Sequence, residues 1–338
     1  MKRMRRMMKL CALALAILVA GGVVYEQIGE WRDRNRYPRI GRPVDIGGRT
    51  LNLYCSGDGS PTVVFEGAGH TAGYAWIDMQ REVAKFARAC WYDRAGYGWS
   101  DPGPSPRTFT EIARDLHALL RAGAVPGPYV LVGASAGAFH IRVYNGLYPR
   151  DVAGAVLIRA TDTDVFVHEP EYMKGKLDSL PPLVQKMGCT VVLPAVLHVG
   201  LLRLMGNPGA GVPFGIANLA PADQKELLFL STNPRTAQTE GEGCTLDQSM
   251  AEVRAAGSFG NRPLYVLADS APFTAPAPAF AKATDALNDY WFHELQPRLA
   301  ALSTRGRLML EDKAEEPPTI VRAIRAVVDE VRNTPGSS

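Results

Sequence analysis

The sequence predicts an α/β protein with a mostly parallel β-sheet flanked by helices. Short apolar segments such as "TVVFEG" and "YVLVGA" are bounded by Gly, Pro and Asp, which is typical of strands. Between them stand segments such as "FTEIARDLHALLRA", with apolar residues at helical spacing. Because the strands are apolar along their whole length, both of their faces are expected to be buried under helices.

This alternation continues along most of the chain. Strands are predicted at "TLNLYC", "TVVFEG", "ARACWYD" and "YVLVGA", and later at "GAVLIRA", "PLYVLAD" and "RLMLED". The segment "PTIVRAIRAVVDEVR" begins with proline and is amphipathic, so it is predicted to close the domain as a helix. A length of 338 residues with 46% hydrophobic content indicates an ordinary globular protein.

Residues 161–261 interrupt the alternation with Leu- and Pro-rich pieces that have little strand character. The core is therefore predicted in two parts, residues 41–160 and 262–338, and residues 161–261 are predicted to form an inserted helical cap. A cap over the carboxyl ends of the strands usually shapes a substrate pocket. The alternative is a helical subdomain with no role in substrate binding.

Residues 1–40 are predicted to be a signal anchor and its tether. Basic residues precede an uncharged, mostly apolar run over residues 10–25, a pattern shared by anchors and cleaved signal peptides. As a helix this run would span about 24 Å, somewhat less than a hydrocarbon core of about 30 Å. The polar "EQIGEWRDRNRYPR" favours a tether, and secretion after cleavage is the alternative. The basic start places the N-terminus in the cytoplasm and the domain outside it.

The formal net charge of +3 comes from this basic start, since the rest of the chain is slightly acidic. Nucleic-acid binding is therefore not predicted. The sequence has no CxxC, no histidines at metal-ligand spacing and no nucleotide-binding motif, so neither a metal nor a cofactor is predicted.

The cysteines fit an exported domain. Cys11 lies in the apolar run, which leaves an even set of four in the rest of the chain. Cys55 and Cys90 lie at the ends of two early strands, and Cys189 and Cys244 both lie in the cap. We predict the bridges Cys55 to Cys90 and Cys189 to Cys244 in an oxidising compartment. The alternative is four buried free thiols.

The segment "GASAG" at residues 133–137 matches G-x-S-x-G, and a predicted strand precedes it while a predicted helix, "AFHIRVYNGLY", follows. In a nucleophile elbow the turn is so tight that its neighbours must be small, and the Ser hydroxyl is presented beside a helix N-terminus. Ser135 is therefore predicted to be a catalytic nucleophile. The alternative is a tight turn without chemistry.

At this point the chain resembles the α/β-hydrolase fold family, and within it the exported or membrane-anchored serine hydrolases. The resemblance rests on "GSPTVVFEGAGH", "WYDRAGYGWSDPGP", "ARDLHALLRAGAVPGPYVLVGASAG" and "YPRDVAGAVLI", in that order. It covers residues 41–160 closely and residues 263–332 more weakly, and it leaves the cap unassigned. It implies the α/β-hydrolase fold, a mostly parallel sheet flanked by helices with an inserted helical cap.

The resemblance also implies an oxyanion hole made of two backbone amides, those of Ala136 and of Ala68 in "EGAGH". Glu66 stands where such proteins often carry His. Because the donors are backbone groups, this side-chain difference matters little for the hole itself. Asp93 and Arg94 match the family's turn after its fourth strand, and we interpret them as structural.

The triad acid is expected after the penultimate strand, which makes Asp269 the candidate acid. Asp162 and Asp164 are second choices, and a strand-end turn residue is the alternative role for Asp269. Relatives often carry Asp where Arg159 stands, so the chain departs from the family there.

The general base is not assigned. The family places a His between the last strand and the final helix, but here that loop is "EDKAEEPPT", it is several residues short, and no histidine follows His293. Lys313 and Glu315 in that loop are weaker candidates for the base than the histidines. His117 and His140 on framework helices and His198 in the cap are interpreted as packed or solvated side chains. His70 after the predicted oxyanion loop and His168 at the start of the cap could each reach the site from an unusual direction.

Two functions from different classes follow from these patterns. The first is a serine hydrolase acting through Ser135 on a carboxylic ester or a similar small acyl substrate, with a displaced base. The alternative is a catalytically impaired homologue that binds a ligand or partner in the capped pocket. A scaffold role has no sequence feature in its favour, and a dehalogenase-type mechanism would need Asp rather than Ser in the elbow.

Overall fold

The computed structural model describes residues 2–173, 181–204, 219–232, 245–270, 273–312, 314 and 316–334. Eight strands form its central sheet. They are β1 (Arg42–Asp45), β2 (Thr50–Ser56), β3 (Thr62–Glu66), β4 (Ala89–Tyr92), β5 (Tyr129–Ala134), β6 (Val152–Ile158), β7 (Leu264–Asp269) and β8 (Gly306–Glu311).

The strand order is β1-β2-β4-β3-β5-β6-β7-β8. Every pair from β4 to β8 in this order is parallel, while β1–β2 and β2–β4 are antiparallel. The predicted class, a mostly parallel sheet, is confirmed. β1 was not predicted, because its four residues are mostly exposed and polar and lack an apolar pattern.

The helices lie between and beside the strands. They are α1 (Lys2–Arg36), α2 (Ile77–Val83), α3 (Phe109–Ala122), α4 (Ala136–Leu147), α5 (Val165–His168), α6 (Pro182–Met187), α7 (Leu193–His198), α8 (Leu201–Leu204), α9 (Pro221–Thr232), α10 (Leu246–Ala255), α11 (Ala281–Tyr290), α12 (Gln296–Ala300) and α13 (Pro317–Arg332).

The sheet is covered on both faces, as fully apolar strands require. Along β5, Leu131 packs into a core that contains Ile112 and Leu116 of α3. Its neighbour Val132 points the other way, into a core that contains Ile324 and Val327 of α13. Successive side chains of a strand alternate between faces, so one apolar strand joins both cores.

The described part of residues 161–261 contains α5 to α10 and no named strand, which agrees with the predicted helical content. Helix α9 lies at the carboxyl edge of the sheet. Its Ser231 Oγ accepts the Ala72 amide at 3.1 Å, and its Leu230 carbonyl accepts the Gly98 amide at 2.8 Å. Ala72 and Gly98 follow β3 and β4, so this part of the cap region touches the loops where a site is expected.

One of the two predicted disulfides is present, between Cys55 of β2 and Cys90 of β4. The two residues are directly paired across the antiparallel strands, with 4.1 Å between their Cα atoms. The second predicted bridge, Cys189 to Cys244, lies outside the described residues. Cys11 is a free, exposed cysteine.

Helix α1 contains the apolar run predicted at residues 10–25. Its most apolar window has a mean hydropathy of 2.3 and is not buried against the rest of the protein. By length and composition the helix could cross a membrane.

Candidate active site

Ser135 occupies the turn between β5 and α4. Its backbone has φ 50° and ψ −120°, a left-handed conformation that a residue other than glycine rarely adopts. The Ser135 amide donates to the Ile158 carbonyl at 3.0 Å, and its carbonyl accepts from the Ala138 amide at 3.0 Å. The side chain is exposed. The predicted turn is therefore present. The surrounding structure must hold the strained backbone of Ser135 in this conformation.

The two glycines of "GASAG" are required by close backbone contacts. A Cβ at Gly133 would lie 2.6 Å from the Gly137 carbonyl oxygen. A Cβ at Gly137 would lie 2.8 Å from the carbonyl oxygens of both Glu66 and Gly67. The glycines thus let α4 start directly against the end of β3, which brings Ser135 beside the loop that follows Glu66.

The loop that follows Glu66 contains Ala68, which is one of the two predicted oxyanion donors. The other predicted donor, Ala136, lies next to this loop. A Cβ at Gly69 would lie 3.5 Å from the Ala136 side chain, so the loop borders the elbow. Ala136 is the first residue of α4, and its amide has no partner within the helix. Within the described part of the chain, neither the Ala68 nor the Ala136 amide donates a backbone hydrogen bond. Both amides can therefore donate a hydrogen bond to a ligand oxygen.

Arg94 holds the loop that follows β3 in place. Its guanidinium donates to the Gly67 carbonyl at 2.7 Å and to the Ala68 carbonyl at 2.9 Å. The side chain is 2% exposed and also pairs with the Glu66 carboxylate at 3.1 Å. Tying down the two carbonyls fixes the peptide planes of the loop, because each plane carries both a carbonyl and the following amide.

Glu66 is the centre of a buried polar cluster that was not predicted from the sequence. Its carboxylate, 0% exposed, accepts hydrogen bonds from Tyr92 Oη and Arg94, and lies 3.0 Å from His140 Nδ1. Burial by itself would raise the pKa of Glu66, but His140, Arg94 and Tyr92 together lower it below its usual value. The available signal was a carboxylate ending an otherwise apolar strand, since buried charges are nearly always paired.

Asp93 is a second buried carboxylate beside this cluster. It accepts the Gly73 amide at 2.9 Å, the Trp99 amide at 3.1 Å and the Asn52 side chain at 3.0 Å. It therefore joins β2, β4 and the loops after β3 and β4, which supports the structural role expected for it. Burial raises the pKa of Asp93 to about 6, even though all three hydrogen bonds oppose that shift.

We expect Asp93→Asn to change how stability depends on pH. Between pH 3.8 and about 6 the folded protein retains a proton on Asp93 that the unfolded chain has lost. Stability therefore falls as pH rises through this window, and the whole penalty, up to about 3 kcal/mol, persists above it. Urea denaturation at a series of pH values should show the wild-type free energy of unfolding falling relative to the variant. Parallel curves from pH 4 to pH 6.5 would contradict this expectation.

Asp269, the candidate acid, ends β7 as predicted. One of its oxygens is 2.6 Å from Arg159 Nε, and the other accepts the Ala314 amide at 3.1 Å. Arg159 follows β6 with φ 46°, and its amide bonds the Leu267 carbonyl of β7. The residue that departs from the family pattern thus forms an ion pair with the candidate acid. The second choices are paired elsewhere, Asp162 with Arg142 at 3.2 Å and Asp164 with Arg298 at 3.2 Å.

Most histidines have partners away from Ser135. His117 bonds Asp151 at 3.0 Å and His140 bonds Glu66, while His168 stacks on Tyr290 with ring centroids 3.6 Å apart. The exposed His198 and His293 bond Pro194 and Asp289 of their own helices.

His70 is exposed, has φ 53°, and directly follows Gly69, the residue that borders Ala136. No hydrogen bond joins the Ser135 hydroxyl to a histidine or a carboxylate among the residues that the structure describes. Lys313 and Glu315 lie outside those residues.

These features define an α/β protein whose strand-turn-serine-helix element stands beside a braced loop with free amides. The pattern of the family described as alpha/beta hydrolase fold matches residues 61–188. A haloalkane dehalogenase from Bradyrhizobium elkani superposes with a TM-score of 0.58 at 17% identity, covering 86% of this chain and 98% of that one. A laboratory-evolved variant of potato epoxide hydrolase gives 0.61 at 14% identity, covering 86% and 98%. The chain therefore has the α/β-hydrolase fold.

A curated relative is an uncharacterized vacuolar membrane protein of Saccharomyces cerevisiae, 31% identical over 126 residues. The match covers 36% of this chain and 19% of that protein. The chain thus spans about a fifth of the length of this relative.

Proposed function

We propose that this protein is a membrane-anchored serine hydrolase that acts on a carboxylic ester or a similar small acyl substrate through Ser135. The observation that carries the proposal is the strained, exposed Ser135 beside the free amides of Ala68 and Ala136. A positive φ at a serine costs on the order of 1–3 kcal/mol of conformational free energy, and such strain is concentrated at functional sites.

In this proposal the Ser135 Oγ attacks the substrate carbonyl carbon, and the carbonyl oxygen becomes an oxyanion bound by the Ala68 and Ala136 amides. The C–O bond to the leaving alcohol breaks, the alcohol leaves with a proton, and an acyl-serine remains. Water then attacks the acyl carbon and releases the acid and the free serine. The N-terminus of α4 adds a favourable potential for the negative charge.

Removal of the proton from the Ser135 hydroxyl is the step that distinguishes this site from an ordinary triad. General-base assistance contributes on the order of 10² to 10⁴ in rate. Asp269 is paired with Arg159 rather than with an imidazole. We therefore propose slow turnover with a displaced base, and among the six histidines His70 lies on the loop that borders the elbow.

A second candidate function is ligand or partner binding without turnover. The Arg159–Asp269 ion pair favours it, because it engages the carboxylate that a triad would direct at histidine. In both cases we propose that residues 161–261 act as the cap of the site, and that α1 holds the domain at the outer side of a membrane without being cleaved.

The test is labelling of the purified full chain with a fluorophosphonate, with the modified residue located by mass spectrometry. We expect a label on Ser135 and none in Ser135→Ala. Slow hydrolysis of short-chain nitrophenyl esters should be lost in the same variant. His70→Ala should slow the reaction, and the exposed His293→Ala is its matched control. Absence of a Ser135-dependent label would refute the hydrolase, and labelling without measurable turnover would favour the binding function.

A further inference from the structure

The part of the cap region formed by residues 181–204, here called the apolar segment, exposes an unusual number of large hydrophobic side chains. It contains no acidic residue, and its charged residues are Lys186 and Arg203. Soluble proteins rarely expose contiguous apolar patches of this kind. Seven of its described side chains are large, apolar and exposed: Leu183, Val184, Met187, Val191, Val192, Leu201 and Leu204.

The apolar segment is packed against the second half of α1. A Cβ added to Gly22 would lie 2.6 Å from the Val199 carbonyl oxygen. A Cβ at Gly200 would lie 2.9 Å from the Tyr25 ring and 3.0 Å from the Glu26 carboxylate. These contacts fix residues 199–200 alongside a particular level of the helix.

An ion-pair cluster reinforces this contact. Arg203 donates to both oxygens of Glu26, each at 2.9 Å, and its guanidinium also pairs with Asp33. Glu26 is only 5% exposed, and it is the one buried residue among the described residues of α1. A bidentate Arg–carboxylate pair whose carboxylate is buried has a defined geometry, so it holds the apolar segment and α1 in one orientation.

The position of this contact along α1 places the apolar segment at the outer boundary of the membrane. A hydrocarbon core of about 30 Å takes about 20 helical residues. The uncharged run of α1 begins at Leu10 and ends at Tyr25, so the outer boundary of the hydrocarbon lies near Tyr25. Gly22 then lies about 5 Å inside that boundary, at 1.5 Å per residue, and the ion pair of Glu26 lies at it. Residues packed at that level cannot all remain in bulk water.

We propose that the exposed apolar side chains of the apolar segment enter the outer interfacial layer of the bilayer that α1 spans. The inference rests on the proposed anchoring by α1. The occupant is lipid rather than a protein partner, because the apolar segment packs against α1 at Gly22 and Tyr25, and the nearby Val24 and Ile28 of this candidate membrane helix are also apolar and exposed. Short helices with apolar side chains and basic charges are suited to this layer.

The experiment uses the full chain reconstituted in vesicles of phosphatidylcholine and phosphatidylglycerol that contain a phospholipid with a photoactivatable group on its acyl chain. After illumination, labelled peptides are mapped by mass spectrometry. We expect label on α1 and on residues 181–204, and none on α3 or α13. Val191→Glu with Leu204→Glu should remove the label from residues 181–204 and retain it on α1. Leu147→Glu, at an exposed leucine of α4, is the matched control and should change neither.

Label on α1 without label on residues 181–204 would overturn this inference and leave the anchoring intact. Absence of label from both would overturn the anchoring and the inference together. Photochemical cross-links from residues 181–204 to a second copy of the chain, in place of lipid, would identify a protein interface and also overturn it.

Discussion

Arg94→Met is expected to destabilise the folded protein by about 3–5 kcal/mol. The substitution leaves the Glu66 carboxylate, 0% exposed, without its guanidinium partner. It also removes the donors to the Gly67 and Ala68 carbonyls. Removing one partner of a buried ion pair isolates the other charge, which accounts for an effect of this size. Chemical denaturation of the purified variant measures it.

Two comparisons make this expectation specific. Arg81→Met removes an arginine whose ion pair with Asp78 is largely exposed, with 59% of the Arg81 side chain in solvent, and should change stability by less than about 1 kcal/mol. Glu66→Gln combined with Arg94→Met should recover part of the loss, because no isolated charge then remains. If Arg94→Met behaved like Arg81→Met, Arg94 would not be what stabilises the loop that follows β3.

Gly137→Ala is expected to lower the reactivity of Ser135 by about 10²-fold, on the proposed function. The added Cβ would lie 2.8 Å from the carbonyl oxygens of Glu66 and Gly67, both backbone atoms that cannot move aside alone. Helix α4 must therefore shift away from the end of β3, and it moves Ser135 relative to Ala68. Displacements on the order of 1 Å at a reacting centre cost about this much in rate.

The control for this substitution is Gly188→Ala, at a position with nothing within 4 Å of the added Cβ. The rate of fluorophosphonate labelling at Ser135 is the readout, measured where near-UV circular dichroism shows both variants folded. Alanine raises helix propensity by about 1 kcal/mol over glycine, so a loss at Gly137 reflects the contact and not helix formation. Equal labelling rates in the two variants would show that the elbow does not depend on this contact.

Much of the fold follows from local patterns. The strands of the parallel sheet were predictable because each is an apolar run with turn residues at its ends, and the helices α3 and α13 because their apolar residues recur at helical spacing. β1 and α11 were not predicted, since their buried residues are few and depend on neighbours far away in the chain. The Cys55–Cys90 bridge was predicted from strand positions, and the register of β2 with β4 places the two residues opposite each other.

The candidate site divides in the same way. The sequence alone determined the serine turn, because Gly133 and Gly137 on either side of Ser135 are required by close backbone contacts. Only the tertiary structure placed Glu66 with Arg94 and His140, Asp269 with Arg159, and Glu26 with Arg203. Each pair joins residues distant along the chain, and the energy of a buried charge depends on which opposite charge the fold brings to it. Local sequence patterns carry no information about that choice.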